Sequence, residues 1–393
     1  MSDAPSMFSA AYPKLQWAWD ATSLKALQTC PRYYQYTILE GWRGSTIDLE
    51  FGGLFASSLE FYKKARLGGA TRDQAQLVAL QYAMEQSGTY EAKNAEPEDT
   101  DVYEGFWAPW GGSYRDQWRC TGTEPYVNEK GNKAKCPLSH KGVWQEDFAP
   151  SICGVCGSPV EEVSNWVPIN PAKDRYALIR AVVWYCEEQP EDMSQGLAPI
   201  NLPNGTPAVE LPFRIPLPWK TPDGWVPRAD GHGYDVVSEP YMLVGYLDSI
   251  VRFGTELFIA DDKTTKKLLN KGFWDGFSPH VQVDTYDLAG SILFPDLPIK
   301  GVIIEGTQLL VGGARFGKHV IYHNEAQREE YFQELEGIIR MAEKYAAANH
   351  WPMNRASCFM CGFKKICSKS PQVREQYLAA DFKKQHWNPL EER

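Results

Sequence analysis

The stretch ELFIADDKTTKK at 256–267 ends an apolar run in Asp261, Asp262 and Lys263, and YMLVGYLDSIVRF just before it carries Asp248. Both stretches alternate as strands do, and a glycine first in the two-residue link Gly254-Thr255 fits a type II′ hairpin turn. Pairing Phe253 with Glu256 then sets Asp248 directly across from Asp261, with Cβ atoms roughly 5 Å apart. Side chains on a strand alternate between faces, so Lys263 joins Asp261 while Asp262 points away. Two facing carboxylates repel unless they share a cation. Mg²⁺ or Mn²⁺ held by Asp248 and Asp261 would polarise a phosphodiester and lower the pKa of water. Lys263 would orient that water or stabilise developing charge. Against this stands the plain alternative of a solvated ion pair at a strand end, since so short a motif also arises by chance.

Nine cysteines fall into two groups and one singleton. Cys358, Cys361 and Cys367 lie close together in CFMCGFKKIC, with Cys30 as a distant fourth, and such a set suits either zinc or an iron-sulfur cubane. Cys120, Cys136, Cys153 and Cys156 form the other group. CGVCGSP at 153–159 is a zinc-knuckle signal, with either four cysteines or three plus His140 as ligands. Cys186, in VVWYCEEQ, reads as a buried helix thiol.

The elements that position these residues form a mixed α/β pattern. Thr22 or Ser23 is expected to cap a helix over SLKALQTC, another helix begins near Gly53 and carries Glu60, and Thr71 with Gln74 resembles a capping box opening a third. From about Asn94 to Trp166 the texture becomes Gly-, Trp- and Cys-rich, as in an insertion. A helix follows at AKDRYALIRAVVWYCEEQ, then strands in AVELPFRIPL, YMLVGYLDSIVRF and ELFIADD. A helix around HVQVDTYDLAGSIL, strands at GVIIEGTQLLV and HVIYH, and a long helix from Asn324 to about Asn349 complete the pattern. GGARFGKH at 312–319 imitates a phosphate-binding loop, but His319 replaces the required Ser or Thr and a strand follows, so a hairpin turn and no ATPase engine are expected.

The chain carries a net charge of −10, 43% hydrophobic residues, 14 Trp and 20 Tyr. That composition excludes a disordered chain and argues against indiscriminate polyanion binding, but a local basic groove remains compatible with it. No segment has the roughly 20 apolar residues of a membrane span, and the first residues lack a signal peptide's basic and apolar regions, so a cytoplasmic protein without membrane partners is expected.

In order, CPRYYQY, FGGLFASSLEFY, AVELPF, GYLDSI, FIADDKT, QVDTY and CFMCGFKKIC resemble the PD-(D/E)XK nucleases of the RecB type, most closely the iron-sulfur branch with exonuclease V, the AddB nuclease domain and the CRISPR-associated RecB-like nucleases. The resemblance implies a restriction-endonuclease-like mixed central sheet flanked by helices. It implies metal ligation by Asp248 and Asp261, with the Asp262 carbonyl completing the shell, and catalysis by Lys263. Gln282 and Tyr286 match the family's Q-x3-Y element, and Glu210 matches an acid on the preceding strand. It also resolves the first cysteine group toward a 4Fe-4S cluster on Cys30, Cys358, Cys361 and Cys367, clipping the two ends of the chain together. The family's histidine on the early helix is missing: Gly52, Ala56 and Glu60 occupy that frame with Ser57 adjacent, leaving Glu60 as the partial substitute.

The domain organisation expected from this likeness is an N-terminal helical part at 1–93 with the first cluster cysteine, a zinc-binding insertion at 94–166, a nuclease core at 167–349 and an iron-sulfur segment at 350–393. The function expected is a metal-dependent deoxyribonuclease acting on DNA ends or single strands in recombination, repair or replication, with any helicase or recombination protein a separate partner. The alternative is a catalytically weak iron-sulfur accessory subunit. Basic stretches KTTKKLLNK and KDRYALIR, near Trp and Tyr, would follow phosphates and stack on bases without sequence-specific recognition.

Overall fold

The structure is a computed structural model that describes residues 5–43, 47–94, 112–114, 118–128, 131–136, 151–162, 166–168, 175–310, 313–359 and 361–391. Two compact units are present: Met1–Ser45, Ala56–Ala79 and Val183–Arg393 form the first, Thr46–Phe55 and Leu80–Val182 the second. The second thus takes in more chain than the Cys-rich stretch 94–166 alone.

The first unit is built on a seven-stranded mixed sheet. Its strands are β1 (Ala18–Trp19), β2 (Ala198–Pro199), β3 (Val209–Lys220), β4 (Pro240–Phe253), β5 (Glu256–Thr265), β6 (Ile299–Leu310) and β7 (Gly313–Tyr322). The helices that matter to the site are α1 (Ala21–Thr29), α2 (Ile47–Leu67), α3 (Arg72–Asn94), α4 (Arg175–Glu188), α5 (Val281–Leu293) and α6 (Glu325–Ala347).

Strand β4 is antiparallel to β2, β3 and β5, and parallel to β1. The β4–β5 hairpin has the expected register, Phe253 opposite Glu256 through Ser249 opposite Ala260, and Gly254 supplies the turn with φ +62°. Strand β6 runs parallel to β5, which demands a crossover, and α5 is that crossover. Parallel neighbours bury both faces of a strand, and from Gly301 to Leu309 every residue of β6 is buried. Strand β7 returns antiparallel from Gly313 opposite Leu310, so the phosphate-loop imitation, expected as a hairpin turn, is strand from Gly313 onward.

Helices α1, α5 and α6 pack on this sheet. Trp19, Leu24, Leu27, Tyr34, Leu247, Ile259, Val283, Ile304, Leu335 and Ile339 belong to one buried apolar cluster. Capping follows the sequence at α3, where Thr71 and Gln74 exchange bonds, and at α6, where Asn324 and Gln327 form a capping box. At α1 it does not: Asp20 caps the helix, accepting from the backbone N–H groups of Thr22 and Ser23. A carboxylate satisfies two free donors at once, whereas Ser23 is buried and turns its hydroxyl back to Asp20.

The N- and C-terminal segments are joined in this unit. Arg32 donates to the carbonyls of Trp351 and Pro352, Trp42–Arg43 pairs with Lys383–Lys384, and Tyr36, Trp42, Phe363, Ile366 and Leu378 form a second apolar cluster with Phe382 stacked on Phe363. Among the described residues no helix is long and apolar enough to cross a membrane.

One buried ion network ties α2 to the sheet. Lys63 Nζ lies 2.6 Å from Asp262 Oδ2 and 3.8 Å from Glu305, and Glu305 also faces Lys318 across β6 and β7. Lys63 and Asp262 have side chains only 6% and 9% exposed, so removal of the ammonium strands two buried carboxylates. We predict that Lys63→Met lowers unfolding free energy by about 3–5 kcal/mol, measured by urea denaturation; a loss below about 1 kcal/mol, the scale of a surface pair, would contradict this assignment.

Candidate active site and cysteine centres

The acids gather where β3, β4 and β5 run side by side. Continuing the β4–β5 register one step past Ser249 and Ala260 places Asp248 across from Asp261. On the other edge, Val209 opposite Ser249 and Leu211 opposite Leu247 bracket Glu210 across from Asp248. Glu210, second residue of β3, has φ +51°, a left-handed backbone that costs a non-glycine residue about 1–3 kcal/mol and persists only where the surroundings enforce it. Glu210 is half-buried there, and its charge adds to the forces on the Asp248 carboxyl.

Asp261 is fully buried. Lys263 Nζ lies 2.7 Å from both of its oxygens and donates to Oδ1, while Oδ2, shielded from solvent, receives no directed hydrogen bond. Gln282, on α5, bridges to the same carboxylate: its Nε2 donates to Tyr286 Oη at 2.9 Å and approaches Asp261 Oδ1 at 3.4 Å. The two members of the Q-x3-Y pair lie one turn apart on α5 and reach the site together.

Asp262 takes the other course, as alternation requires. Its carboxylate goes to Lys63 on the opposite face, while its backbone N–H donates to Asp248 Oδ2 at 3.3 Å. Only its carbonyl is left for the role the sequence suggested. Ala56 is half-buried on α2, and Glu60, expected to substitute for the missing histidine, is instead engaged by Lys64 one turn on.

Charge is held here under strain. Burial, and next the Asp261 carboxylate, push the Asp248 carboxyl well above the usual carboxylate range. Burial opposes the charge on Lys263, but Asp261 and Asp248 outweigh it and hold the ammonium above its ordinary value. A facing pair of acids sharing one lysine suits a divalent cation as further positive charge. Among the described residues no three acids come within 4.8 Å of one another, so Asp248 and Asp261 would be its side-chain ligands.

Two neighbours were not singled out from the sequence. Lys25 on α1 and His280, the residue capping α5, lie with Nζ and Nε2 3.1 Å apart, and Lys263 acts electrostatically on both. His280 stands just before the QVDTY motif, which was the available signal; Lys25 left none, because only the packing of α1 brings it here.

The second unit contains the strongest ligand constellation. Cys120, Cys136, Cys153 and Cys156 offer four sulfurs all within 4.8 Å of one another, and the first three are buried. Cys120 ends one of the short antiparallel pairs, Trp118–Cys120 with Val160–Glu162, and the pair Tyr126–Val127 with Lys133–Ala134 precedes Cys136. Backbone N–H groups of Gly122 and Val155 point at Cys120 Sγ and Cys153 Sγ, the amide support that knuckle turns give thiolates. The set can hold a metal ion. His140 lies outside the described residues.

In the first unit, Cys30, Cys358, Cys361 and Cys367 line one pocket with Tyr33, Asn354 and Phe363. Asn354 N–H donates to Cys30 Sγ at 3.2 Å, and Cys30 bears electrostatically on both Cys361 and Cys367. Among the described residues these four sulfurs do not meet the 4.8 Å closeness of the other set. Cys186 is a buried helix thiol, as read, and burial pushes it up to about 12.

No protein-family model matches the chain, and no match is found among curated proteins. Among solved structures, the crystal structure of SSO0001 aligns at 17% identity over 41% of this chain and 59% of its own length, with a TM-score of 0.21.

Two predictions follow the electrostatics and the sulfurs. Because Asp248 holds its proton more tightly folded than unfolded, stability without divalent cations falls as pH rises above the ordinary carboxylate range, by at most about 1.4 kcal/mol per pH unit. Asp248→Asn should flatten that fall in thermal melts, and an unchanged slope refutes the assignment. For the cysteines, anaerobically purified protein should contain about four iron and one zinc per chain. Cys30→Ala should remove iron and spare zinc, Cys153→Ala the reverse; zinc in both centres without iron would overturn the cluster assignment.

Proposed function

We propose that the protein is a metal-dependent deoxyribonuclease of the PD-(D/E)XK type, with a restriction-endonuclease-like core, acting on DNA ends or single strands. The observation that carries this function is the cross-strand opposition of Asp248 and Asp261, with the Lys263 ammonium 2.7 Å from the Asp261 carboxylate. Buried acids arranged in this way cost stability and serve no packing need, so their purpose is to hold a cation.

Mg²⁺ or Mn²⁺ at Asp248 and Asp261, with the Asp262 carbonyl, would supply charge to a phosphate and make water acidic enough to attack at neutral pH. Lys263, kept protonated by both acids, would stabilise negative charge developing on the phosphate oxygens. Gln282 and Tyr286 would fix the Asp261 carboxylate through the hydrogen bonds described above. Exposed Lys266 and Lys267, just beyond Lys263, extend positive charge along the path of a backbone. A 4Fe-4S cluster on Cys30, Cys358, Cys361 and Cys367 would brace the joined terminal segments, and zinc on Cys120, Cys136, Cys153 and Cys156 would stabilise the second unit. Any helicase or recombination protein would be a separate chain.

A second reading, an iron-sulfur accessory subunit with weak or no cleavage, is favoured by one observation: Ala56 stands where the resembled nucleases place a histidine, and Glu60 is spent on Lys64. The two are separated by incubating supercoiled plasmid, linear duplex and end-labelled single strands with Mg²⁺ or Mn²⁺. Cleavage should appear, and Asp261→Ala or Lys263→Ala should each lower it by at least about 10²-fold while leaving the fold intact. Full activity in either variant sinks the site; no cleavage by the wild type, with retained strand binding, supports the accessory subunit.

A further inference from the structure

The backbone ladder between β4 and β5 stops short of the acids it opposes. In a two-residue hairpin Phe253 and Glu256 exchange backbone hydrogen bonds, so Phe258, Ala260 and Asp262 are the residues that turn their amides toward β4. Pairing ends at Ser249 and Ala260. By the same register the Asp262 N–H would next meet the carbonyl of Leu247, but it goes instead to a side chain, Asp248 Oδ2, at 3.3 Å. Past Ala260, then, a carboxylate of the acid pair stands where a ladder bond would be. The group that meets it from β5 is the Asp262 peptide.

A strand released by one neighbour needs another hold. Strand β5 keeps its parallel partner β6, with Asp262 abreast of Glu305. Behind the sheet, Lys63 of α2 places Nζ 2.6 Å from Asp262 Oδ2 and 3.8 Å from Glu305 Oε2. Glu305 is buried and adds only longer contacts, to Lys318 Nζ at 3.9 Å and Tyr185 Oη at 3.4 Å. The short bond from Lys63 to Asp262 is therefore the anchor. Its side chains are 6% and 9% exposed, so little water competes for it, unlike a pair at the surface. Asp262 is tied on both sides, its carboxylate to Lys63 behind and its amide to Asp248 in front.

We propose that Lys63 is a positioning residue for the divalent cation: by fixing the Asp262 carboxylate it holds the Asp262 amide against Asp248, and so presets the placement of Asp248 relative to Asp261. This rests on the nuclease reading and adds to it a residue, on another helix and the opposite face of the sheet, that governs how tightly the acids take their metal. Partners that orient metal ligands typically account for about 10- to 100-fold in affinity. They act by sparing the ligands the ordering that binding would otherwise require.

The test separates positioning from stability and uses the full chain. Lys63→Met/Asp262→Leu removes both ends of the buried pair at once, which leaves neither charge stranded and keeps the backbone amide and carbonyl at position 262. Asp262→Leu alone cuts the same anchor while Lys63 keeps Glu305 as its partner. Thermal melts report the fold, and calorimetric titration with Mn²⁺ in the absence of DNA reports the site, with Asp261→Ala identifying the binding that belongs to the acid pair. Both variants should melt as cooperative folded proteins and bind Mn²⁺ about 10- to 100-fold more weakly than the wild type. The two losses should be equal, because the variants cut one link. On an end-labelled single strand, the Mn²⁺ concentration for half-maximal cleavage should rise in the same proportion. Wild-type Mn²⁺ affinity in either folded variant, with binding still abolished by Asp261→Ala, overturns the positioning role alone. A wild type without Mn²⁺ binding that depends on Asp261 removes the metal site and this role together.

Discussion

Two carboxylates that would rather be apart are forced together by a hairpin. The two-residue link at Gly254 sets the β4–β5 register, and that register leaves Asp248 and Asp261 opposed on a buried face. Much of the nearby structure answers the resulting repulsion. Lys263 comes from the same strand two residues on, Gln282 reaches in from the crossover helix, and the Asp262 amide turns to Asp248. Even so, Asp248 keeps its proton beyond the usual range. A fold that only needed stability would have apolar residues here.

Strand alternation then distributes charge between the two faces of the sheet. Asp261 and Lys263 lie on one face, and Asp262 between them meets Lys63 and the Glu305–Lys318 pair on the other. That strand is thereby locked by an ion network on its back. Packing on the front does the same for the loop that follows: the indole of Trp274 lies where Cβ atoms of Gly306 and Gly317 would be, at 2.7 and 2.9 Å, and stacks on His319. Only glycine at those two facing positions lets the segment after Lys263 lie against the sheet.

The cysteines express a different economy. Four sulfurs crowd within reach of one ion in a unit whose described strands are two or three residues long, too short to supply a core by themselves. The other four sit among aromatic contacts that already join residues near 30 to residues near 360, so a cluster there would reinforce an existing seam.

Much of the site was legible in the sequence because its geometry is local. A glycine-led turn and the period-two alternation suffice to oppose Asp248 and Asp261, to send Asp262 backward and to keep Lys263 forward, and the four-residue spacing suffices to align Gln282 with Tyr286. The cysteine spacings and most helix boundaries were equally readable. What the tertiary structure alone decided depends on contacts between residues far apart in the chain. Lys63 finds Asp262 across 199 positions, and Lys25 meets His280 across 255. Periodicity reports which face a residue shares with its neighbours, but not which other face it will meet. That is decided only when burial of the whole core fixes helices against the sheet, and here it sets the Lys63 ammonium behind a site whose acids the sequence had already placed.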